Sequence, residues 1–233
     1  METTVNLSSD QKLDFLINSV ITLQKDVSEM KGVIAKVATL EAKNTALEKT
    51  VRDLSLEVKQ LKEQSNLREQ QLRSNSIRLF NFPGSNDETG LAAKVYDKVL
   101  KPILAAAKAK GEISTLPQVG TTIEEVFRVG KFSAGPGKPP PPVLIKFSTS
   151  ALRLAVLKNK RTSMPQPTDS SKKYVITEDL TTPTYRKLQE IREHDQVARA
   201  WTMNGSIWFV RVGENQPSKR VKSIYDDIST IIS

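Results

Sequence analysis

The chain has no cysteine and a single histidine, His194. The first absence excludes disulfides, thiol catalysis and thiolate zinc sites, and fits a reducing compartment. The second leaves no set of His ligands for a metal. A Ser-His-Asp triad would have to use His194, which stands between Glu193 and Asp195 and reads as part of a solvated helical face. No run of about 18 apolar residues is present, so no membrane span is expected. Met1-Glu2-Thr3-Thr4 lacks the basic and apolar regions of a signal peptide. Gly130–Lys138 contains glycine and lysine but not the spacing of a phosphate loop. The carboxylate pairs Glu124/Glu125 and Asp226/Asp227 are sequence neighbours, and neighbours on a strand point to opposite faces. The expectation is a protein without a catalytic site, metal or cofactor.

Positive charge is present and unevenly placed. Residues 1–72 carry 10 Lys/Arg against 11 Asp/Glu, net −1, whereas residues 73–233 carry 25 against 15, net +10. A neutral part followed by a basic part implies a spacer or assembly device joined to a polyanion binder. A solvated basic surface is the plainer alternative.

From Leu13 to Leu72 there is no proline and one glycine, Gly32. Apolar residues recur at alternating spacings of four and three: Leu16, Val20, Leu23, Val27, Met30, Ile34, Val37, and then Leu40, Asn44, Leu47, Val51, Leu54, Val58, Leu61. A sustained 3.5-residue repeat predicts a coiled coil over 13–72, roughly 90 Å long at about 1.5 Å per residue. The step from Val37 to Leu40 loses one spacing, a stammer that overwinds the supercoil locally. Val20, Val27, Ile34, Val51 and Val58 take the a positions, with Asn44 among them as a register-setting polar residue. Asp26/Lys31, Lys43/Glu48 and Glu57/Lys62 are opposite charges five apart, the g-to-e′ pairing of parallel chains. β-branched a with leucine d leans towards two strands, whereas Val33 and Ala38 widen the seam towards three; dimer and trimer both stay open on this ground. Ser65 and Arg68 stand at core positions after Leu61, so the rod is expected to fray there.

The middle reads β-α-β-β-α-β over residues 74–177. Ser76–Phe82 alternates and ends at Pro83-Gly84. An amphipathic helix is expected from Glu88 to Lys101, then a short one from Ile103 to Lys110 after Pro102. Glu124–Val129 is a strand, Lys131–Pro142 a Pro/Gly loop, Val143–Phe147 a strand, Ser150–Lys160 a helix and Lys173–Thr177 a strand. This order fits a ferredoxin-like sandwich. Its open face is where single-stranded RNA lies in such folds. Period two puts Ile77, Leu79, Val143, Ile145 and Phe147 inward, and Arg78, Phe80, Lys146 and a less constrained Phe82 outward. Arg128 lies on the second strand with its side undetermined. An aromatic with three basic residues makes a stacking and phosphate surface, although Leu144 and Lys146 stand where exposed aromatics would be expected in an RNA recognition motif.

Residues 178–233 read as a small basic α+β domain. Thr182-Pro183 opens a helix expected to reach Ala200, carrying Arg186, Lys187, Arg192 and Arg199. Asn204-Gly205 is a hairpin turn between alternating segments. Trp201 and Trp208 read as core anchors, with base stacking as the alternative. Lys219-Arg220-Val221-Lys222 is a basic segment.

This order of parts resembles the first-open-reading-frame protein of LINE-1-like retrotransposons. Leu72–Pro83 is similar to the family's entry strand, with Asn81 where the family has glycine. Val126-Phe127-Arg128-Val129-Gly130, the Pro-rich loop and Val143–Phe147 resemble its central strands. Ile176-Thr177-Glu178-Asp179-Leu180-Thr181 resembles its "I-x-E-D-L-T" segment, and the Trp201–Val210 hairpin follows its pattern. The resemblance implies parallel trimers rather than dimers, cooperative coating of single-stranded RNA, and nucleic acid chaperone activity in a cytoplasmic ribonucleoprotein particle. Single-stranded DNA is a second ligand and the nucleus a second location under this reading. It also implies RNA contacts at Arg78, Arg128 and Lys146, and at Arg186, Lys187 and Arg192.

The expected fold is therefore α+β: a disordered segment over 1–12, a parallel coiled coil over 13–72, an RNA-recognition-motif-like domain over 74–177 and a C-terminal domain over 178–233. The oligomer seam is Leu16, Val20, Leu23, Val27, Met30, Ile34, Leu40, Asn44, Leu47, Val51, Leu54, Val58 and Leu61. The expected RNA contacts are Arg78, Phe80, Arg128, Lys146, Arg186, Lys187, Arg192, Lys219, Arg220 and Lys222. The alternative is a coiled-coil scaffold whose C-terminal units bind a protein; it leaves the charge asymmetry without a cause.

Overall fold

The structure is a computed structural model that describes residues 9–85, 88–132, 138–167, 173–213 and 217–232. It is α+β, a long N-terminal helix followed by a β-rich region. Two compact units divide it, Met1–Gln60 and Leu61–Ser233.

The first unit is helical wherever it is described. α1 runs from Ser9 to Leu72 and so crosses into the second unit. Its length follows from the missing proline and from a leucine-, lysine- and glutamate-rich composition with high helix propensity. Residues 9–12 are helical where disorder was expected; Ser9-Asp10 supplies a helix-starting signal and an acidic first turn. The rest of that expected segment, residues 1–8, lies outside the described residues. Within the single chain the apolar seam residues from Leu16 to Leu61 are exposed, between 47 and 66 %.

The second unit contains the last turns of α1 and two sheets. β1 (Ser76–Phe80) is followed by α2 (Leu91–Val95), a π-helical turn (Tyr96–Leu100), α3 (Lys101–Ala109) and α4 (Val119–Thr122). β2 (Ile123–Arg128), β3 (Val143–Phe147), α5 (Ser150–Ser163) and β4 (Val175–Glu178) complete the first sheet, whose strand order is β2-β3-β1-β4, antiparallel throughout. Pro102 falls in the first turn of α3, where its missing N–H costs nothing, and the π-helical turn just before it takes up the irregularity. Ile77, Leu79, Val143, Ile145 and Phe147 are fully buried on one face against Val95, Val99, Leu100, Ile103, Leu104 and Val156 of the helices. Thr149 caps α5 by accepting the Leu152 N–H.

α6 (Thr182–Arg192), β5 (Val197–Met203), β6 (Ser206–Arg211), β7 (Lys219–Arg220) and α7 (Ile228–Ile232) follow, with strand order β5-β6-β7. α6 ends at Arg192, short of the expected Ala200: Val197 begins a strand, and Arg199 pairs across the hairpin with Val210. The alternating Val197–Met203 segment gains a cross-strand ladder that a helix would forgo. Thr181, one residue before the expected cap, accepts the Thr184 N–H. Leu188 and Ile191 of α6 pack on Val197, Ile207 and Phe209.

α1 does not fray after Leu61. Glu63, Asn66, Gln70 and Arg73 are half-buried at spacings of three, four and three, a polar stripe that docks on the segment between β4 and α6. Asn66 accepts the Thr181 hydroxyl and donates to Thr184 Oγ1 at 3.1 Å. Gln70 donates to the Asp179 carbonyl at 2.9 Å and accepts the Thr181 N–H at 3.0 Å. Glu63 accepts from Ser223. The helix stays ordered to its end because these polar contacts within its own chain hold it.

Glu178 joins the two sheets. Its carboxylate lies 2.6 Å from Arg153 Nη2 of α5, with both side chains no more than 7 % exposed. It also accepts the backbone N–H groups of Asn204 (2.8 Å) and Gly205 (3.1 Å) at the hairpin turn. Asn204 and Gly205 both have positive φ, +52° and +73°, and a Cβ on Gly205 would stand 2.5 Å from Gln70 Cγ, so glycine is required twice over. Removing one member of a buried ion pair strands the other charge. Glu178→Ala is expected to lower stability by about 3–5 kcal/mol, read as a fall in the urea midpoint. Combining it with Arg153→Met should restore part of that loss; an unchanged midpoint in Glu178→Ala would show that the pair does not hold the sheets.

Candidate nucleic-acid interface

The helices cover one face of the four-stranded sheet, and the side chains of the other face form cross-strand rows. Phe127, Leu144, Arg78 and Thr177 align across β2, β3, β1 and β4. Glu125, Lys146 and Ser76 form the next row, and Phe80 pairs with Val175 on the other side. Phe127 and Val175 are 43 and 45 % exposed; Arg78, Phe80, Leu144 and Lys146 are half-buried. The face is thus apolar and aromatic with two cations set into it.

Phe127 was missing from the sequence-based candidates. A register shift between Ile123 and Glu125 breaks the period of two in β2. Ile123 and Val126 both pair with inward residues, and Phe127 turns outward beside Leu144. Phe82 does the opposite. It is 1 % exposed, with its ring 5.8 Å from that of Tyr174. Asn81 takes φ +61°, which ends the alternation after Phe80 and turns Phe82 into the core. Burying a phenylalanine there is worth roughly 1.5–3 kcal/mol.

The cations of this face are partly matched. Arg78 Nε lies 2.6 Å from Asp179 Oδ1 and Arg73 Nη1 lies 3.2 Å from the same oxygen. Arg73 also lies 2.6 Å from Glu69, so the two guanidinium groups face two carboxylates. Lys146 Nζ lies 2.8 Å from Glu124. That hydrogen bond, with the Coulomb attraction of the carboxylate, pushes the lysine above its ordinary pKa, so Lys146 is charged at neutral pH.

Arg128 does not stand on the open face. It pairs with inward-facing Val143, and its side chain is 9 % exposed. It lies 2.7 Å from Glu88 and donates to the carbonyls of Phe82 (3.0 Å), Pro83 (2.9 Å) and Pro141 (3.1 Å). The fork ties the end of β1 to the Pro-rich loop. Gly84 admits it: a Cβ there would stand 2.0 Å from Arg128 Nη2. The planar donor array saturates four acceptors, which a lysine cannot reproduce.

In the C-terminal domain the basic candidates separate in the same way. Arg186 is exposed on α6. Lys187 is only 13 % exposed, lies 2.8 Å from Glu190 and donates to the Asp226 carbonyl at 3.1 Å, so it is committed to packing. Arg192 is exposed at the end of α6, where it donates to the Ala200 carbonyl at 3.2 Å. Lys219, Arg220 and Lys222 are exposed on and after β7. His194 stands in the turn after α6 rather than within a helix, and its Nδ1 accepts the Gln196 N–H at 3.2 Å. Trp201 and Trp208 do not anchor the core: they pair across β5 and β6 on the face opposite Ile207 and Phe209, which are 1 % exposed.

Among the described residues, no group of three or more Asp, Glu or His is placed to hold a metal ion, and no helix is long and apolar enough to cross a membrane.

Arg128 and Lys146 should therefore respond in opposite ways to alanine. Arg128→Ala leaves Glu88 buried without its partner and is expected to cost about 3–5 kcal/mol in chemical denaturation, and Arg128→Lys should not rescue it. Lys146→Ala should leave the midpoint unchanged. Equal behaviour of the two variants would refute this division of roles.

No protein-family model matches the chain, and no curated protein sequence matches it.

Proposed function

We propose that this protein binds single-stranded RNA as a parallel coiled-coil homo-oligomer. The observation that carries the reading is the open sheet face, where Phe80 and Phe127 stand with Arg78 and Lys146 in the part of the chain that carries net +10. Aromatic rings offer stacking surfaces to any base, and the cations follow the phosphates. We take the first sheet as a ferredoxin-like, RNA-recognition-motif-like domain, which its strand order β2-β3-β1-β4 and one-sided helices support. The resemblance to the first-open-reading-frame proteins of LINE-1-like retrotransposons adds a specific role: coating RNA in a ribonucleoprotein particle and acting as a nucleic acid chaperone, without catalysis. Asn81 at φ +61° is consistent with that resemblance, since the family places there a glycine, which adopts such angles freely.

Oligomerisation and docking of α1 do not compete. In the heptad register that makes Leu61 a d position, Ser65, Arg68 and Leu72 continue the seam and are exposed. Glu63, Asn66, Gln70 and Arg73 fall at f and b positions on the other side of the helix. The apolar seam stays available to a second and third copy. Linking several modest RNA surfaces on one rod raises affinity through effective concentration, and counterion release makes binding fall steeply with salt.

The test is anisotropy of a labelled single-stranded RNA about thirty nucleotides long, across a salt series. It uses the full chain and a full-chain variant carrying Leu40→Asp and Leu47→Asp in the seam. Tight, salt-sensitive binding is expected for the first, and for the second a monomeric protein with affinity roughly 10²–10⁴-fold lower. Absence of binding by both at low salt would sink the RNA reading and leave the exposed Phe127 and Val175 to a protein partner.

A further inference from the structure

The three-stranded sheet has an outer face that none of the roles above uses. α6 covers its inner face, where Ile207 and Phe209 lie. Because successive strand residues alternate, Trp208 between them points the other way, and the register sets Trp201 directly across from it. Arg220 of β7 pairs with Trp208, and Val210 pairs with Arg199. Arg199, Trp201, Trp208 and Arg220 therefore share one face, with Met203, 52 % exposed, at its end. The Arg199 guanidinium lies 5.3 Å over the Trp201 ring. Both rings are half-buried, and the Trp208 Nε1–H is itself buried with no hydrogen-bond partner in the fold, although a buried tryptophan N–H usually finds one.

We infer that this face is a base-stacking subsite for single-stranded nucleic acid, with Trp201 and Trp208 as the platform and Arg199 and Arg220 as its phosphate clasps. The inference rests on the RNA reading above and deepens it: the C-terminal domain takes bases as well as charge. Arg199 marks the place, since a planar cation already lies over the Trp201 ring where an unstacked base would lie. The base takes that place, and the guanidinium turns to the adjoining phosphate. The surroundings suit a polyanion. Between residues 197 and 222 there are five basic residues (Arg199, Arg211, Lys219, Arg220, Lys222) and one acidic residue, Glu214. A protein partner for the same face would need acidic complements and would leave the ring pair to generic packing.

Trp201 and Trp208 are the only tryptophans of the chain, so the intrinsic tryptophan emission of the full-length protein reports on this face alone. The experiment titrates that emission with an oligouridine RNA about thirty nucleotides long and with an abasic ribose-phosphate strand of equal length. Binding of both is followed in parallel by anisotropy. The expected result is quenching by the oligouridine that saturates with its anisotropy, and binding of the abasic strand without quenching. Trp201→Leu should lose about tenfold in oligouridine affinity with an unchanged far-ultraviolet spectrum. If the oligouridine binds with emission unchanged, or the abasic strand quenches equally, the subsite is overturned while the RNA reading stands. If no RNA binds by anisotropy, both are overturned. Should Trp201→Leu fail to fold, the contrast between the two strands on the wild-type protein decides alone.

Discussion

Two adjacent carboxylates at the end of β4 hold the second unit together. Neighbouring strand residues face opposite sides, so Glu178 and Asp179 reach different partners from one dipeptide. Glu178 turns to the helix-covered side and meets Arg153 of α5 and the amides of the Asn204-Gly205 turn. Asp179 turns to the open side and meets Arg78 of β1 and Arg73 at the end of α1. Both side chains are nearly buried, where an unpaired charge is costly. Each partner is therefore obligatory, and the first sheet, the hairpin and the helix end have little freedom to separate. Gln70 adds to the same junction through the Asp179 carbonyl and the Thr181 amide.

That arrangement consumes charge. Arg73, Arg78 and Arg153 are engaged by these carboxylates, Arg128 by the buried Glu88 and Lys187 by the exposed Glu190. The 25 Lys/Arg of residues 73–233 overstate the cations that the surface can offer to phosphates, whereas the net +10 already subtracts the carboxylates. Lys146, Arg186, Arg192, Lys219, Arg220 and Lys222 are half-buried or exposed and form the more accessible reserve. Electrostatic attraction by one chain is correspondingly modest. Two features compensate under the proposed function: aromatic faces, whose stacking adds roughly 1–3 kcal/mol per base, and repetition of the surface along an oligomer.

What could be read from the residues divides by whether it depends on local period or on distant partners. Alternation placed Ile77, Leu79, Val143, Ile145 and Phe147 inside, and Asn204-Gly205 marked the hairpin, because those signals lie within a few residues. Phe127 was not singled out and Phe82 was expected outward, because of single irregularities, a register shift in β2 and the positive φ of Asn81. Neither is visible in a hydrophobicity pattern. Arg128 looked like any surface arginine, since its acceptors come from Glu88 and three distant carbonyls. The end of α6 was overestimated because Arg192 to Ala200 has acceptable helix propensity, and the competing ladder comes from β6. Trp201 and Trp208 were assigned to the core by residue type, whereas cross-strand register puts them on the opposite face.

The stripe Glu63, Asn66, Gln70, Arg73 shows how one helix can carry two assembly codes. Under the proposed function, the apolar residues at a and d meet an identical seam on another chain, since burial alone rewards them. The polar stripe, lying at f and b, seeks directional acceptors that exist at one place in its own chain, the Asp179–Thr184 segment. Hydrogen bonds at 2.9 and 3.0 Å on Gln70 do not tolerate a shift of one residue. The docked end therefore fixes the register of its own helix against the sheet domains independently of how many chains associate.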